Sequence, residues 1–141
     1  MKSVFLDTSS LLKLYHEEEG SEEVIALIEE MEKIFLCDIA MVEFSSAVWK
    51  NIRSGALKKD AGQLLIDYFY KDRALFNWIP LDDSLIEDAF DLLNQYGGGG
   101  LRSLDSLQLA AARKVREEVN LFHTSDNLLF FFLRQEGLIA K

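Results

Sequence analysis

The chain has 141 residues, with one proline, one cysteine, 49% hydrophobic and 28% charged residues. That length suits a single domain over 1–141 with its own core, and one cysteine excludes an intramolecular disulfide or a cysteine-built zinc site. The net charge of −9 argues on its face against a nucleic-acid partner, but eight of the 24 acids lie between Glu17 and Glu32, leaving 16 acids against 15 bases elsewhere, so a locally basic face is compatible with an acidic whole.

The first apolar run, Val4-Phe5-Leu6, is shorter than the core of a signal sequence. No stretch approaches the roughly 20 apolar residues of a membrane-spanning helix, so a cytoplasmic protein without membrane contact is expected. The run reads as a buried strand ending at Asp7. Thr8 or Ser9 is the expected cap of a helix that carries Leu11, Leu12 and Tyr15 and stops before Gly20. Ser21 opens an acidic amphipathic helix with Val24, Ile25, Leu27 and Ile28 turned inward. Ile34-Phe35-Leu36 reads as a second strand, residues 39–53 and 58–73 as two helices, and Phe76 to Leu81 as a third strand. A helix over 84–95 ends in Gly97-Gly98-Gly99-Gly100, and Ser103 is the expected cap of a helix over 104–118. Leu121-Phe122 is a fourth strand, Asn127 to Gln135 a last helix, and Leu138-Ile139 a short edge strand.

Strands alternating with helices predict an α/β fold, a parallel sheet with helices on both faces. The four glycines follow a helix and lack the Lys-Ser/Thr of a phosphate-binding loop, so they read as a helix end and loop.

Ligands of open parallel sheets bind at the carboxyl ends of the strands. Asp7 directly follows the first strand, and Asp126 follows the fourth across His123-Thr124-Ser125. Glu43 and Asp105 fall near the starts of two helices. Each has an ordinary alternative: Asp105 as a helix-dipole partner, Asp126 as an N-cap, Glu43 on a solvated face. Asp7 is the hardest to explain so, because a carboxylate ending a buried strand needs a partner. Together the four converge on one sheet edge. Two carboxylates about 4 Å apart repel by around 4 kcal/mol at an effective dielectric near 20, so such a cluster calls for a divalent cation or for retained protons. All-oxygen ligands suit Mg2+ or Mn2+ over Zn2+.

Four segments, VFLDTSSLLKLY at 4–15, MVEFSSAVWK at 41–50, LRSLDSLQLAAA at 101–112 and HTSDNLLFF at 123–131, resemble the PIN domain and, within it, the small VapC-type toxins of toxin–antitoxin pairs. The resemblance covers essentially the whole chain. It implies a three-layer α/β/α sandwich around a parallel sheet of four or five strands, and a Mg2+- or Mn2+-dependent endoribonuclease. Its acidic quartet falls on Asp7, Glu43, Asp105 and Asp126, with Ser9 and Thr124 as accompanying hydroxyls. It also implies a cognate antitoxin, RNA as substrate and a homodimer. Asp7 and Asp105 are the expected direct metal ligands, with Glu43 and Asp126 as further ligands or orienters of water. His123 is expected to end a strand inside the fold rather than to act as a base.

Helix geometry returns Lys50 to within about 20° of Glu43, roughly 10 Å along the axis, and Arg116 to within about 20° of Asp105, roughly 16 Å away. Lys50, Arg53, Lys58 and Lys59, with Arg102, Arg113, Lys114 and Arg116, are therefore expected to form a phosphate track leading from the acids, with solvated surface charge as the alternative. Arg102 can equally pair with one of the acids. Tyr68, Phe69, Tyr70, Trp78 and Phe130-Phe131-Phe132 exceed what one helix face can hide, so some are expected at a protein interface. Two other functions fit parts of the pattern. One is a non-catalytic RNA-binding or scaffold module of the same fold. The other is an aspartate-based phosphotransfer protein built on Asp7, which Ser9 disfavours by standing where such phosphatases need a second Asp.

Overall fold

Alternation along the first strand decides the layering. In β1 (Ser3–Leu6), Val4 and Leu6 are buried in one hydrophobic cluster and Phe5 in another, as a period of two requires. The computed structural model describes Lys2–Lys141; Met1 lies outside the described residues. Along the chain follow α1 (Thr8–Lys13), α2 (Ser21–Glu29), β2 (Lys33–Cys37), α3 (Ala40–Arg53), α4 (Lys59–Asp72) and β3 (Asn77–Ile79). The second half comprises α5 (Asp83–Tyr96), α6 (Ser103–Lys114), β4 (Leu121–His123) and α7 (Asn127–Gln135).

The strands form one parallel sheet in the order β3-β2-β1-β4, with Phe5 opposite both Phe35 and Phe122. One face is covered by α1, α3 and α4 through Leu11, Phe44, Val48 and Phe69, with Leu27 and Ile28 of α2 partly buried against it. The other is covered by α5, α6 and α7 through Leu85, Leu92, Leu109, Leu129 and Phe132. This is the expected three-layer sandwich. No helix of the described residues is long and apolar enough to cross a membrane.

Several local expectations are corrected. The cap of α1 is neither Thr8 nor Ser9 but Asp7, whose backbone is extended and whose carboxylate accepts the Ser10 amide. That helix stops at Lys13, earlier than expected, and the chain passes through turns before Gly20, whose φ of 90° suits glycine alone. Ile25 is 43% exposed, because α2 buries mainly Val24. Ser103 is the first residue of α6 and makes no side-chain cap; the N-cap position is Arg102. The same helix ends at Lys114 rather than 118. Val115 and Arg116 donate to carbonyls three residues back, which tightens the chain and returns the buried Val115 and Val119 to the core. The tetraglycine makes one 3-10 turn, Gly97–Gly99, closed by Gly100 at φ 97°. The edge strand at Leu138-Ile139 is reduced to a single parallel bridge between Phe122 and Ala140.

Candidate active site

The chain leaves β1 toward β2 on one side, and β4 returns on the other, so the carboxyl ends of β1 and β4 flank the sheet's topological switch point. Asp7 stands there and is only 4% exposed. Three donors hold it. Ser9 Oγ reaches both oxygens at 2.8 and 2.9 Å, the Ser10 amide donates to Oδ1 at 3.0 Å, and Thr124 Oγ1 donates to Oδ2 at 2.6 Å. Burial nonetheless raises the Asp7 pKa above the ordinary carboxylate value, outweighing the bonds from Thr124, Ser10 and Ser9.

Glu43 projects from the first turn of α3, the helix that follows β2. Its Oε1 accepts Gln108 Nε2 at 2.8 Å and Thr8 Oγ1 at 3.0 Å. Burial raises its pKa, and the like charges of Asp7 and Asp105 raise it further against the pull of those two bonds. Asp105, in the first turn of α6, has a buried Oδ2 with no hydrogen-bond partner; Arg102 Nε lies 3.7 Å away. Burial and then the charge of Asp126 raise the Asp105 pKa, with Arg102 opposing. Asp126 caps α7, its Oδ1 accepting the amides of Leu128 and Leu129 at 2.8 and 3.0 Å. It is thus an N-cap that also faces Asp105.

All four acids therefore come to one end of the sheet, where Glu43 feels the charges of Asp7 and Asp105, and Asp105 that of Asp126. They do not close into a finished cage: among the described residues, no group of three His, Cys, Asp or Glu side chains is close enough to hold one ion. Oxygen-only donors, an orphaned Asp105 oxygen and carboxylates strained by mutual repulsion still fit a hard divalent cation, which binds through one or two carboxylates and keeps several waters.

The accompanying residues divide. Ser9 and Thr124 both bond to Asp7. Lys50 lines a cleft of about 410 Å³ with Val42, Glu43, Ser46, Ala47 and Leu104. Arg102, 78% exposed in its side chain, borders another of about 390 Å³ with Glu43 and Asp105. A third, of about 460 Å³, runs past Thr8, Ser9, Lys13, Glu18, Glu43 and Ser125. A recess of about 500 Å³ between Tyr70, Lys71, Arg73, Ala74 and Trp78 includes none of the acids.

Arg116 is a correction. Because α6 ends at Lys114, Arg116 lies beyond the helix and its guanidinium donates to the carbonyl of Glu136 after α7. Arg113 is likewise tied to Glu136 at 3.2 Å, and Lys114 to Ser84 at 2.8 Å. These three of the eight bases are engaged within the fold. His123 ends β4, buried, with Nδ1 2.7 Å from Ser10 Oγ, and burial lowers its pKa. Of the aromatics, Phe69 and Phe132 are core, whereas Tyr68, Tyr70 and Phe131 are about half exposed.

Sequence reasoning missed Thr8 and Gln108, the two side chains that hold Glu43. The available signal was Gln108 itself, a lone amide one turn after Asp105 that begins the fully buried run Leu109-Ala110-Ala111-Ala112.

The comparisons with known proteins agree with this architecture. The chain is 25% identical over 113 residues to Ribonuclease VapC3 of Pyrobaculum aerophilum, an overlap of 78% of this chain and 81% of that protein. Among solved structures it superposes on Mycobacterium tuberculosis VapC20, described as a sarcin-ricin loop cleaving toxin, with a TM-score of 0.69 at 16% identity, covering 89% of this chain and 92% of that one. It also superposes on Rickettsia felis VapBC2 bound to a promoter DNA fragment, with a TM-score of 0.66 at 18% identity, covering 99% and 97%. At such identities the structural likeness establishes the fold alone. A family model described as the PIN domain matches residues 4–130, the span from β1 into α7 that delivers all four acids, and by that match the chain belongs to the PIN domain family.

Proposed function

We propose that the chain is a single PIN-like domain acting as a Mg2+- or Mn2+-dependent endoribonuclease, the toxin of a VapBC-type pair. The observation that carries this reading is the gathering of Asp7, Glu43, Asp105 and Asp126 at the switch point, with Asp105 Oδ2 buried and unbonded. Asp7 and Asp105 would hold the cation, with Glu43 and Asp126 completing its surroundings. When bound, a divalent ion supplies an activated water and neutralises charge on the scissile phosphate.

The chain's own residues set the rest. Ser9, the Ser10 amide and Thr124 lock the Asp7 carboxylate in one orientation. The bonds of Thr8 and Gln108 fall on a single oxygen of Glu43 and leave the other available to the site. Lys50, beside Glu43, and the exposed Arg53, Lys58 and Lys59, which form no ion pair among the described residues, would carry the phosphate backbone. Arg102 stands beside Asp105 in the neighbouring cleft. No separate general base is assigned.

A cognate antitoxin, a homodimer and a cytoplasmic location complete the reading. They are supported by the resemblance and, for the antitoxin, by the toxin–antitoxin complex this fold matches.

The test is cleavage of total cellular RNA by purified protein in Mg2+ or Mn2+, with EDTA and Asp7→Asn controls. Discrete fragments that vanish in both controls support the reading. Cleavage that persists in a folded Asp7→Asn protein overturns it. RNA binding without cleavage, unaffected by EDTA, would instead favour a binding module.

A further inference from the structure

Gln108 is 2% exposed and joins the three elements that carry three of the acids. It sits one turn beyond Asp105 on α6. Its Nε2 donates to Glu43 Oε1 on α3 at 2.8 Å and lies 3.1 Å from Thr8 Oγ1 on α1, next to Asp7. Thr8 Oγ1 in turn donates to the same Glu43 oxygen at 3.0 Å. The arrangement has a cost, because Gln108 Oε1 is buried with no partner. A buried acceptor left unpaired costs about 1–3 kcal/mol, so a well-packed apolar side chain would serve the fold better at this position. Turning the amide over would set its oxygen against the Glu43 carboxylate, so the donor must face Glu43 whenever that acid is ionised.

The geometry points to Gln108 as a positioning residue: it holds the Glu43 carboxylate by one oxygen, leaves the second without a hydrogen bond, and thereby sets the affinity of the acidic site for a divalent cation. This rests on the metal-dependent reading above. Gln108 touches neither cation nor substrate and acts through Glu43. Partners that orient a metal-binding side chain are worth roughly 10- to 100-fold in metal affinity.

The test is Mn2+ titration by calorimetry, without RNA, on the full chain and on Gln108→Met, Glu43→Ala and the double variant. Gln108→Met keeps the length of the side chain and removes its donors. The expected result is a Mn2+ Kd raised about tenfold or more in Gln108→Met, and no further change when the substitution is added to Glu43→Ala. An unchanged Kd in Gln108→Met, or an equal loss in the Glu43→Ala background, overturns the positioning role while leaving the metal site standing. Failure of the wild-type chain to bind Mn2+ overturns the metal-dependent reading and this inference with it. Should Gln108→Met fail to fold, NMR of the wild-type protein decides. The Gln108 side-chain amide protons should exchange slowly and shift on Mg2+ addition; fast exchange with no shift refutes the role.

Discussion

Asp105→Asn should make the cation-free protein more stable while removing its response to divalent ions. The wild-type side chain is a charged group 18% exposed, with one buried oxygen unbonded and the charge of Asp126 opposite. Leaving a buried polar group unsatisfied costs about 1–3 kcal/mol, and more for a charged one. The substitution forfeits the Arg102 contact, but that pair is 3.7 Å apart with its arginine 78% exposed, and such pairs contribute about 0–1 kcal/mol. An asparagine amide still occupies the site, so only part of the penalty is recovered, leaving a net gain of about 1 kcal/mol. For a domain of this length that raises Tm by roughly 3 °C.

The pH dependence fixes the cause. The Asp105 pKa is raised in the folded protein, so over the window above the ordinary carboxylate value the native state holds a proton that the unfolded chain has released. Stability therefore falls as pH rises through that window, and the full penalty is present above it. The advantage of Asp105→Asn should be largest at pH 8 and shrink toward pH 4, measured by scanning calorimetry in EDTA. Mn2+ should raise the Tm of the wild-type protein and not that of the variant. A variant that melts at or below the wild-type Tm at pH 8 would refute the argument that these carboxylates strain one another.

Two further substitutions probe the supports of the site. Thr124→Val removes the 2.6 Å bond to the buried Asp7 and should cost about 1–3 kcal/mol in chemical denaturation together with nuclease activity, whereas Thr124→Ser should retain both; equal behaviour of the two variants would show that the hydroxyl does not matter. Lys50→Ala should weaken RNA binding and reduce the slope of log affinity against log salt by about 0.7, the value for one phosphate contact on a single strand, and an unchanged slope would place the RNA elsewhere.

The positions of the acids were legible because each is fixed by a local event. A short apolar run ends at Asp7, and helices begin near Glu43, Asp105 and Asp126. The parallel sheet then carries these ends to one edge. Thr8 and Gln108 were not legible, since their role exists only where α1, α3 and α6 meet, and contacts 35 to 100 residues apart leave no periodic trace. Arg116 failed for a related reason. Its angle from Asp105 assumed a helix continuing to 118, but Val115 and Val119 return to the core and end the helix at Lys114. The inward expectation for Ile25 overlooked that α2 packs through a narrow stripe centred on Val24.

Pairing, rather than charge count, decides where an acidic protein can receive RNA. The three clefts that meet at Glu43 differ in this respect. Along the one past Thr8 and Ser9, Lys13 is already engaged by the Glu19 carbonyl and lies 3.9 Å from Glu18, an acid of the 17–32 run, so that side offers a phosphate no free cation. The other two present Lys50, exposed and in no ion pair among the described residues, and Arg102, largely exposed but 3.7 Å from Asp105. Arg113, Lys114 and Arg116 bind Glu136, Ser84 and the end of α7, and cannot extend the track without releasing the fold. On the proposed metal-dependent reading, a strand would pass the acids beside Arg102 and run along Lys50 toward Arg53, Lys58 and Lys59, unpaired among the described residues. On that path charge reversal at Lys50 should weaken RNA binding, while the same change at Arg116 should register in stability.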